Sequence, residues 1–311
     1  MRTVDFDFPL PEELIAQHPA DQRDQSRLLT MNRATGEIRH QCFADLTDWL
    51  HPGDVLVLNN SRVIPARIRG QKPDSGGKVE MLLVEENATN DWWAMLKPGK
   101  RVRPGTRITL NDRKQNPTAL IAEVIAKNDE GHCRIVFSGT ENILTDLDII
   151  GETPLPPYIT RDSTADNEQD IGRYQTVYAE PRGSAAAPTA GLHFTPELLK
   201  RIKAKGVHVH FVTLHVGLGT FAPVKVEDIE KHKMHEERFE LPEPTARAIN
   251  QAKAGGNRIF AVGTTTVRVL ESVASQWVTQ NHDSDPTHLP LPEATTRGQT
   301  SIFIYPPRDF R

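Results

Sequence analysis

The sequence predicts an α/β protein, a layered α/β domain at residues 1–66 and 152–311 with a small β-barrel domain inserted at 67–151. Three observations carry that prediction. Val55-Leu-Val-Leu58 is apolar on both faces, as in the centre of a sheet, and Val207–Val216 alternates and is rich in valine. Helical patterns follow or precede these runs, near 196–205, 243–254 and 267–278. Between them lie five short strand-like runs at close spacing, separated by Pro-Gly and Asn-Asp-Glu-Gly turns, as a small barrel or sandwich requires.

Taken in order, Pro9 to His18 suggests a short helix, and Leu28–Met31 with Glu37–Arg39 a hairpin across Ala34-Thr-Gly36. Phe43–Leu50 reads as a brief helix, and Gly53-Asp54 turns into the Val55–Leu58 strand. Asn59-Asn60-Ser61-Arg62 at its carboxyl end is a polar turn on composition alone. The barrel strands are expected at Gly77–Val84, Trp92–Leu96, Thr106–Leu110, Ala119–Ile125 and Cys133–Phe137. A cationic hairpin, 97–107, follows the Trp92-Trp93 pair and carries Lys97, Lys100, Arg101, Arg103 and Arg107. Such a segment either tracks a phosphate backbone or simply shields a sheet edge. A proline-rich, then polar, connector (154–170) returns the chain to the main domain.

The stretch Glu180–Phe221 organises the rest. Gly183–Leu192 is nearly all small residues, whose backbone can lie close to a ligand. His193 follows, then Thr195-Pro196, an N-cap and first-turn pair that starts a helix ending at Gly206. The Val207–Val216 strand ends at His215-Val-Gly-Leu-Gly-Thr-Phe221, a second histidine before a two-glycine loop. Loops past the carboxyl ends of strands hold small ligands in open α/β sheets. Later, Arg258–Val262 reads as a strand leading through Gly263-Thr-Thr-Thr266 into a helix, which offers free N–H groups to a carboxylate or phosphate or serves as a plain N-cap. Ser301–Tyr305 is expected as a last strand.

Composition narrows the classes. A 25% charged chain with 37% hydrophobic residues and no membrane-length apolar run is read as soluble and without a membrane partner. The acidic, proline-broken start is not an ordinary signal peptide, and Cys42 and Cys133, far apart, suit a reducing cytoplasm. The net charge of −4 confines any nucleic-acid binding to a local basic patch. His208/His210 and His232/His235 lack an HExxH pattern or a third ligand at diagnostic spacing, so no metal is expected. GxSxG and GxGxxG motifs are absent. What remains is a pocket of histidines, hydroxyls and close backbone, suited to proton transfer near neutral pH.

LVLNNSRVIPARI (56–68), RYQTVYAEPRGSAAAPTAGLHFTPELL (173–199), HVGLGTFAPVKVEDI (215–229), HEERFEL (235–241) and AVGTTTVRVLES (261–272) occur in order, with DFDFPLPEELIAQHPADQRDQSRLL near the start. Together they resemble the S-adenosylmethionine:tRNA ribosyltransferase-isomerases of queuosine biosynthesis, over nearly the whole chain. The resemblance implies transfer and isomerisation of the ribosyl part of S-adenosylmethionine onto 7-aminomethyl-7-deazaguanine at the tRNA wobble position. Epoxyqueuosine-tRNA, adenine and methionine would be the products, with no cofactor beyond the consumed S-adenosylmethionine. For such chemistry His193 and His215 are the expected proton-transfer pair, in either order, with Glu180 a third candidate. Thr189, Gly191, Gly217, Gly219, Thr220 and Phe221 would line the S-adenosylmethionine pocket, and Gly263, Thr264, Thr265 and Arg268 would hold its carboxylate. Arg62, Arg67, Lys97, Lys100, Arg101 and Arg103 would hold tRNA, and a cytoplasmic monomer is the expected state.

Family members continue past an IFIYP-like strand, where this chain has PPRDFR, so a C-terminal truncation is expected. Two rival readings stand beside the main one: an inactive remnant that only binds tRNA, and a metal-dependent hydrolase.

Overall fold

The computed structural model describes residues 1–129, 131–161, 168–217, 224–280 and 290–311. The chain divides into two compact units: 1–62 with 173–181 and 187–311, and 63–172 with 182–186. The second unit runs from Val63 to Gly172, across the connector, and takes in 182–186, where the expected insert is 67–151.

In the first unit, the helix expected over Pro9–His18 shrinks to a 3-10 turn at Glu12–Leu14. Prolines at 9, 11 and 19 crowd it, and Leu10 and Leu14 stay exposed, so no buried apolar face stabilises a longer helix. Strands β1 (Arg27–Met31) and β2 (Ile38–Cys42) form the expected antiparallel hairpin. After α1 (Leu46–Trp49) comes β3 (Val55–Asn59), buried along its whole length, and then the short β4 (Arg62–Val63).

The second unit holds β5 (Arg67–Gln71), β6 (Lys78–Ala88), β7 (Asp91–Lys97), β8 (Arg107–Asn111), β9 (Pro117–Lys127), β10 (Cys133–Ser138), helix α2 (Ile143–Ile150) and β11 (Gly151–Glu152). Strand order β5-β6-β7-β10-β9-β8, with β8 also paired to β5, closes a six-stranded barrel. Ile68, Met81, Ala94, Ile108, Ala122 and Ile135 fill it from alternate positions. The closing strand β5 escapes a reading by pattern because Arg67 and Arg69 flank the inward Ile68 and Gly70. A Cβ on Gly70 would sit 2.5 Å from the Thr109 carbonyl oxygen, so glycine lets the seam close.

The basic segment is not a hairpin, since β7 and β8 are not neighbours in the barrel. It is a connection between separated strands, pinned by buried Val102 and by Gly105 N–H donating to the Val124 carbonyl at 2.7 Å. Trp92 is a core residue rather than a stacking surface.

The chain returns through α3 (Glu168–Arg173) and β12 (Arg182–Ser184) to α4 (Pro196–Ala204), β13 (His208–Leu214), β14 (Glu237–Leu241), α5 (Glu243–Ala254), β15 (Ile259–Val262), α6 (Gly263–Gln280) and β16 (Thr296–Thr300). Thr195 caps α4 by accepting from Leu198 N–H at 3.0 Å, and Gly206 turns the chain at φ +85°. The main sheet runs β15-β3-β13-β14-β16. Its first three strands are parallel, and β14 and β16 are antiparallel to their neighbours. The last strand is thus Thr296–Thr300, not the expected Ser301–Tyr305, which has no regular pairing. Leu56 and Leu58 of β3 pack with Leu198 and Ile202 of α4, while buried Val55 and Val57 point to the opposite face, where α5 and α6 lie. Among the described residues no helix is long and apolar enough to cross a membrane.

Candidate functional site

Three parallel strands end together. In register, Asn59 of β3 lies opposite Val212 of β13, and Leu58 opposite Val262 of β15. The chain segments beyond these ends, Asn60-Ser61, His215-Val216-Gly217 and Gly263-Thr264-Thr265, therefore share one edge of the sheet. Asn59 is 1% exposed and fixes this edge. Its Oδ1 accepts from Leu214 N–H at 3.0 Å and Ser61 N–H at 3.1 Å, and its Nδ2 donates to the Leu214 carbonyl at 3.0 Å. Asn60 accepts from the Thr213 hydroxyl at 2.7 Å, and its carbonyl accepts from Glu180 N–H at 2.9 Å.

His215 continues the strand, donating its N–H to the Arg238 carbonyl at 3.0 Å. Alternation puts it on the face of Val209 and Phe211, the side covered by α4. Burial, with the Arg238 charge second, holds its imidazole below the ordinary value of 6.5. Its Nδ1 is buried and has no partner among the described residues.

On that face sits the 3-10 turn Thr189–His193. Tyr178 connects it to β13: its ring packs on Phe211 at 5.5 Å, and its hydroxyl touches Gly191 so closely that a Cβ there would collide with it. Burial pushes the Tyr178 phenol far above its ordinary range, and its hydroxyl has no partner among the described residues. Ala190 of the turn stands beside Gly263, whose φ is +83° and whose Cβ would lie 3.3 Å from Ala190 Cβ. The turn thus approaches both the β13 face and the start of α6. His193 itself packs against Phe43, ring centroids 5.0 Å apart.

At the start of α6, Thr264 is exposed, Thr265 Oγ1 is buried with no partner among the described residues, and Thr266 donates to the Val262 carbonyl at 2.8 Å. Arg268, expected to grip a carboxylate, is engaged inside the protein. Its guanidinium lies 3.2 Å from the Glu237 carboxylate and donates to the Thr300 carbonyl at 3.3 Å. The other Glu237 oxygen accepts from Gly217 N–H at 3.1 Å. A Cβ on Gly217 would meet nothing within 4 Å.

Other expected residues are spread more widely. Glu180 is tied by its backbone and its side chain is exposed, as is Thr189. Gly219, Thr220 and Phe221 lie outside the described residues, as does the side chain of Arg101. Ala185, Ala186 and Ala187 are buried, so that part of the small-residue run is packed rather than open to a ligand. In the other unit Lys97, Lys100 and Arg103 are exposed, whereas Arg67 is half-buried 3.9 Å from Glu80; Arg62, at the end of the first unit's opening segment, is exposed. His232 packs on Phe303, and no group of three or more His, Cys, Asp or Glu among the described residues could hold a metal ion.

Sequence reasoning assigned no role to Asn59, Asn60, Tyr178 or Glu237. The asparagines carried one usable signal, their position directly after a strand apolar on both faces. Glu237 lies in the HEERFEL tract that contributes to the resemblance, but no residue pattern there gave it a role of its own.

A profile of one family, described as Queuosine biosynthesis protein, matches residues 3–311. The chain is similar to the S-adenosylmethionine:tRNA ribosyltransferase-isomerases of Staphylococcus aureus strains JH9 and Mu3, each 48% identical over 100% of this chain and 84% of the relative. It is also similar to the crystal structure of an S-adenosylmethionine tRNA ribosyltransferase from Thermotoga maritima, 32% identical over 99% of this chain and 81% of that one, with a TM-score of 0.45.

Proposed function

The chain belongs to the Queuosine biosynthesis protein family, and on that premise we propose that it is an S-adenosylmethionine-dependent tRNA ribosyltransferase-isomerase. Its substrates are S-adenosylmethionine and tRNA carrying 7-aminomethyl-7-deazaguanine at the wobble position. Its products are epoxyqueuosine-tRNA, adenine and methionine. The discontinuous α/β unit is the catalytic domain, working in the cytoplasm.

The observation that best supports a site for this chemistry is the shared edge of β3, β13 and β15, with His215 just past the end of β13. The sulfonium of S-adenosylmethionine acidifies the C5′ hydrogens, so a modest base suffices to remove one. A buried imidazole kept neutral at physiological pH is such a base. Adenine leaves with proton assistance, the aminomethyl nitrogen adds as the nucleophile, and loss of methionine accompanies closure of the epoxide. His193 is the second proton-transfer candidate and Glu180 the third. Thr189, Gly191, Gly217, Gly219, Thr220 and Phe221 line the nucleoside side. Gly263, Thr264 and Thr265 present the N-terminus of an 18-residue helix to the methionine carboxylate. These steps are proton transfers and displacements, and S-adenosylmethionine is the only small molecule they call for. Arg62, Arg67, Lys97, Lys100, Arg101 and Arg103 are the proposed tRNA contacts, of which Arg62, Lys97, Lys100 and Arg103 are exposed.

The test is incubation with S-adenosylmethionine and tRNA bearing the aminomethyl base. Adenine and methionine released in step with epoxyqueuosine formation is the expected result. tRNA binding without adenine release would overturn the proposal in favour of a binding protein.

A further inference from the structure

We infer that Glu237 is a positioning residue that locks the loop after His215 to the start of α6, and that Arg268 is its partner rather than a ligand-binding cation. This rests on the reading of His215 and the Gly263–Thr265 turn as parts of one site.

The geometry is specific. Glu237 opens β14 and lies opposite Thr300 of β16. One carboxylate oxygen accepts from Gly217 N–H at 3.1 Å, two residues after His215. The other faces the Arg268 guanidinium at 3.2 Å, and Arg268 stands one helical turn after Thr264 and Thr265. Arg268 also donates to the Thr300 carbonyl at 3.3 Å. The two side chains are 5% and 12% exposed, so water competes little with the ion pair. One carboxylate thus reaches the segment after β13 and the second turn of α6, and a planar guanidinium holds it in a fixed orientation. A guanidinium so engaged has its charge compensated, which leaves the backbone N–H groups of 263–265 as the anion-binding element. Misplacement by about 1 Å at such a site costs about 10²-fold in rate.

Two variants separate positioning from plain stability. Glu237→Gln keeps an acceptor for Gly217 but leaves the Arg268 charge unpaired in a buried place, so both thermal stability and kcat should fall. Adding Arg268→Met removes that charge and should restore thermal stability. If the inference holds, kcat in the double variant stays about 10²-fold low while KM for S-adenosylmethionine changes far less. Amide hydrogen exchange at Gly217, whose N–H is held by Glu237, should be faster than in the parent chain. Recovery of kcat together with stability would overturn the inference, as would unchanged exchange at that amide. The exchange measurement needs no turnover, so it judges the coupling even if the parent chain releases no adenine, an outcome that would sink the proposed function instead.

Discussion

Asn59 and Leu214 are joined by two hydrogen bonds, side-chain oxygen to backbone N–H and side-chain amide to backbone carbonyl, both 3.0 Å. The asparagine side chain stands in for one more residue of parallel ladder, just where β3 and β13 run out of backbone partners. Asn59→Ala would leave both Leu214 groups and the Ser61 N–H buried without partners. A loss of about 2–3 kcal/mol in urea unfolding is expected. A change below about 0.5 kcal/mol would mean that the edge is held elsewhere.

His215 bears on both activity and pH. His215→Ala should still bind S-adenosylmethionine while adenine release falls about 10²–10⁴-fold. Full turnover by that variant would remove His215 from the mechanism. In the parent chain the imidazole must be neutral to act as base, and burial lowers its pKa, so the acid limb of kcat/KM should lie below 6.5.

Stability follows the same sign. The unfolded chain takes up the His215 proton more readily than the folded one, so stability declines as pH falls from about 6.5 toward the depressed folded value. His215→Gln should flatten that window in thermal melts across pH, and an unchanged slope would show that the burial has no energetic effect.

Gly191 and Tyr178 form a tight pair. Gly191→Ala drives a methyl group into the Tyr178 hydroxyl and toward Thr176 Cγ2, which a Cβ would approach to 2.9 Å. Destabilisation of about 1–3 kcal/mol is expected. Tyr178→Phe removes a buried hydroxyl with no partner among the described residues and should be neutral or stabilising. The double variant should recover part of the Gly191→Ala loss, and strict additivity would argue against direct packing of the two residues.

The tRNA assignment is tested by salt dependence. Replacing Lys97, Lys100 and Arg103 with alanine should weaken tRNA binding and reduce the slope of log affinity against log salt by about one for each phosphate no longer neutralised. An unchanged slope would move the nucleic-acid surface elsewhere.

Much of the fold could be read from residue pattern alone. β3, α4 and α5 announce themselves through apolar runs, the Thr195-Pro196 cap and the glycines at 206, 255 and 256. Five barrel strands alternate clearly. The closing strand Arg67–Gln71 does not, because its outward arginines and inward Gly70 look like a polar turn. Thr296–Thr300 was equally hidden: Thr-Arg-Gly-Gln-Thr has no apolar face and becomes a strand only by pairing with Glu237–Leu241. The site was half legible for a related reason. His215 and the Gly263 turn sit at recognisable strand ends, whereas Glu237 and Arg268 acquire meaning only when β14 folds next to α6. No spacing in the chain links residues 217, 237 and 268.

Val102 gives the basic connection an unusual division of labour. One apolar side chain, sunk among the barrel strands, anchors a segment in which Lys100 and Arg103 are exposed. Lys100 and Arg103 take part in no ion pair among the described residues, so they carry charge without carrying the fold. A lineage could therefore raise or lower the grip of this surface on a polyanion by exchanging those positions one at a time, with the scaffold underneath left as it is.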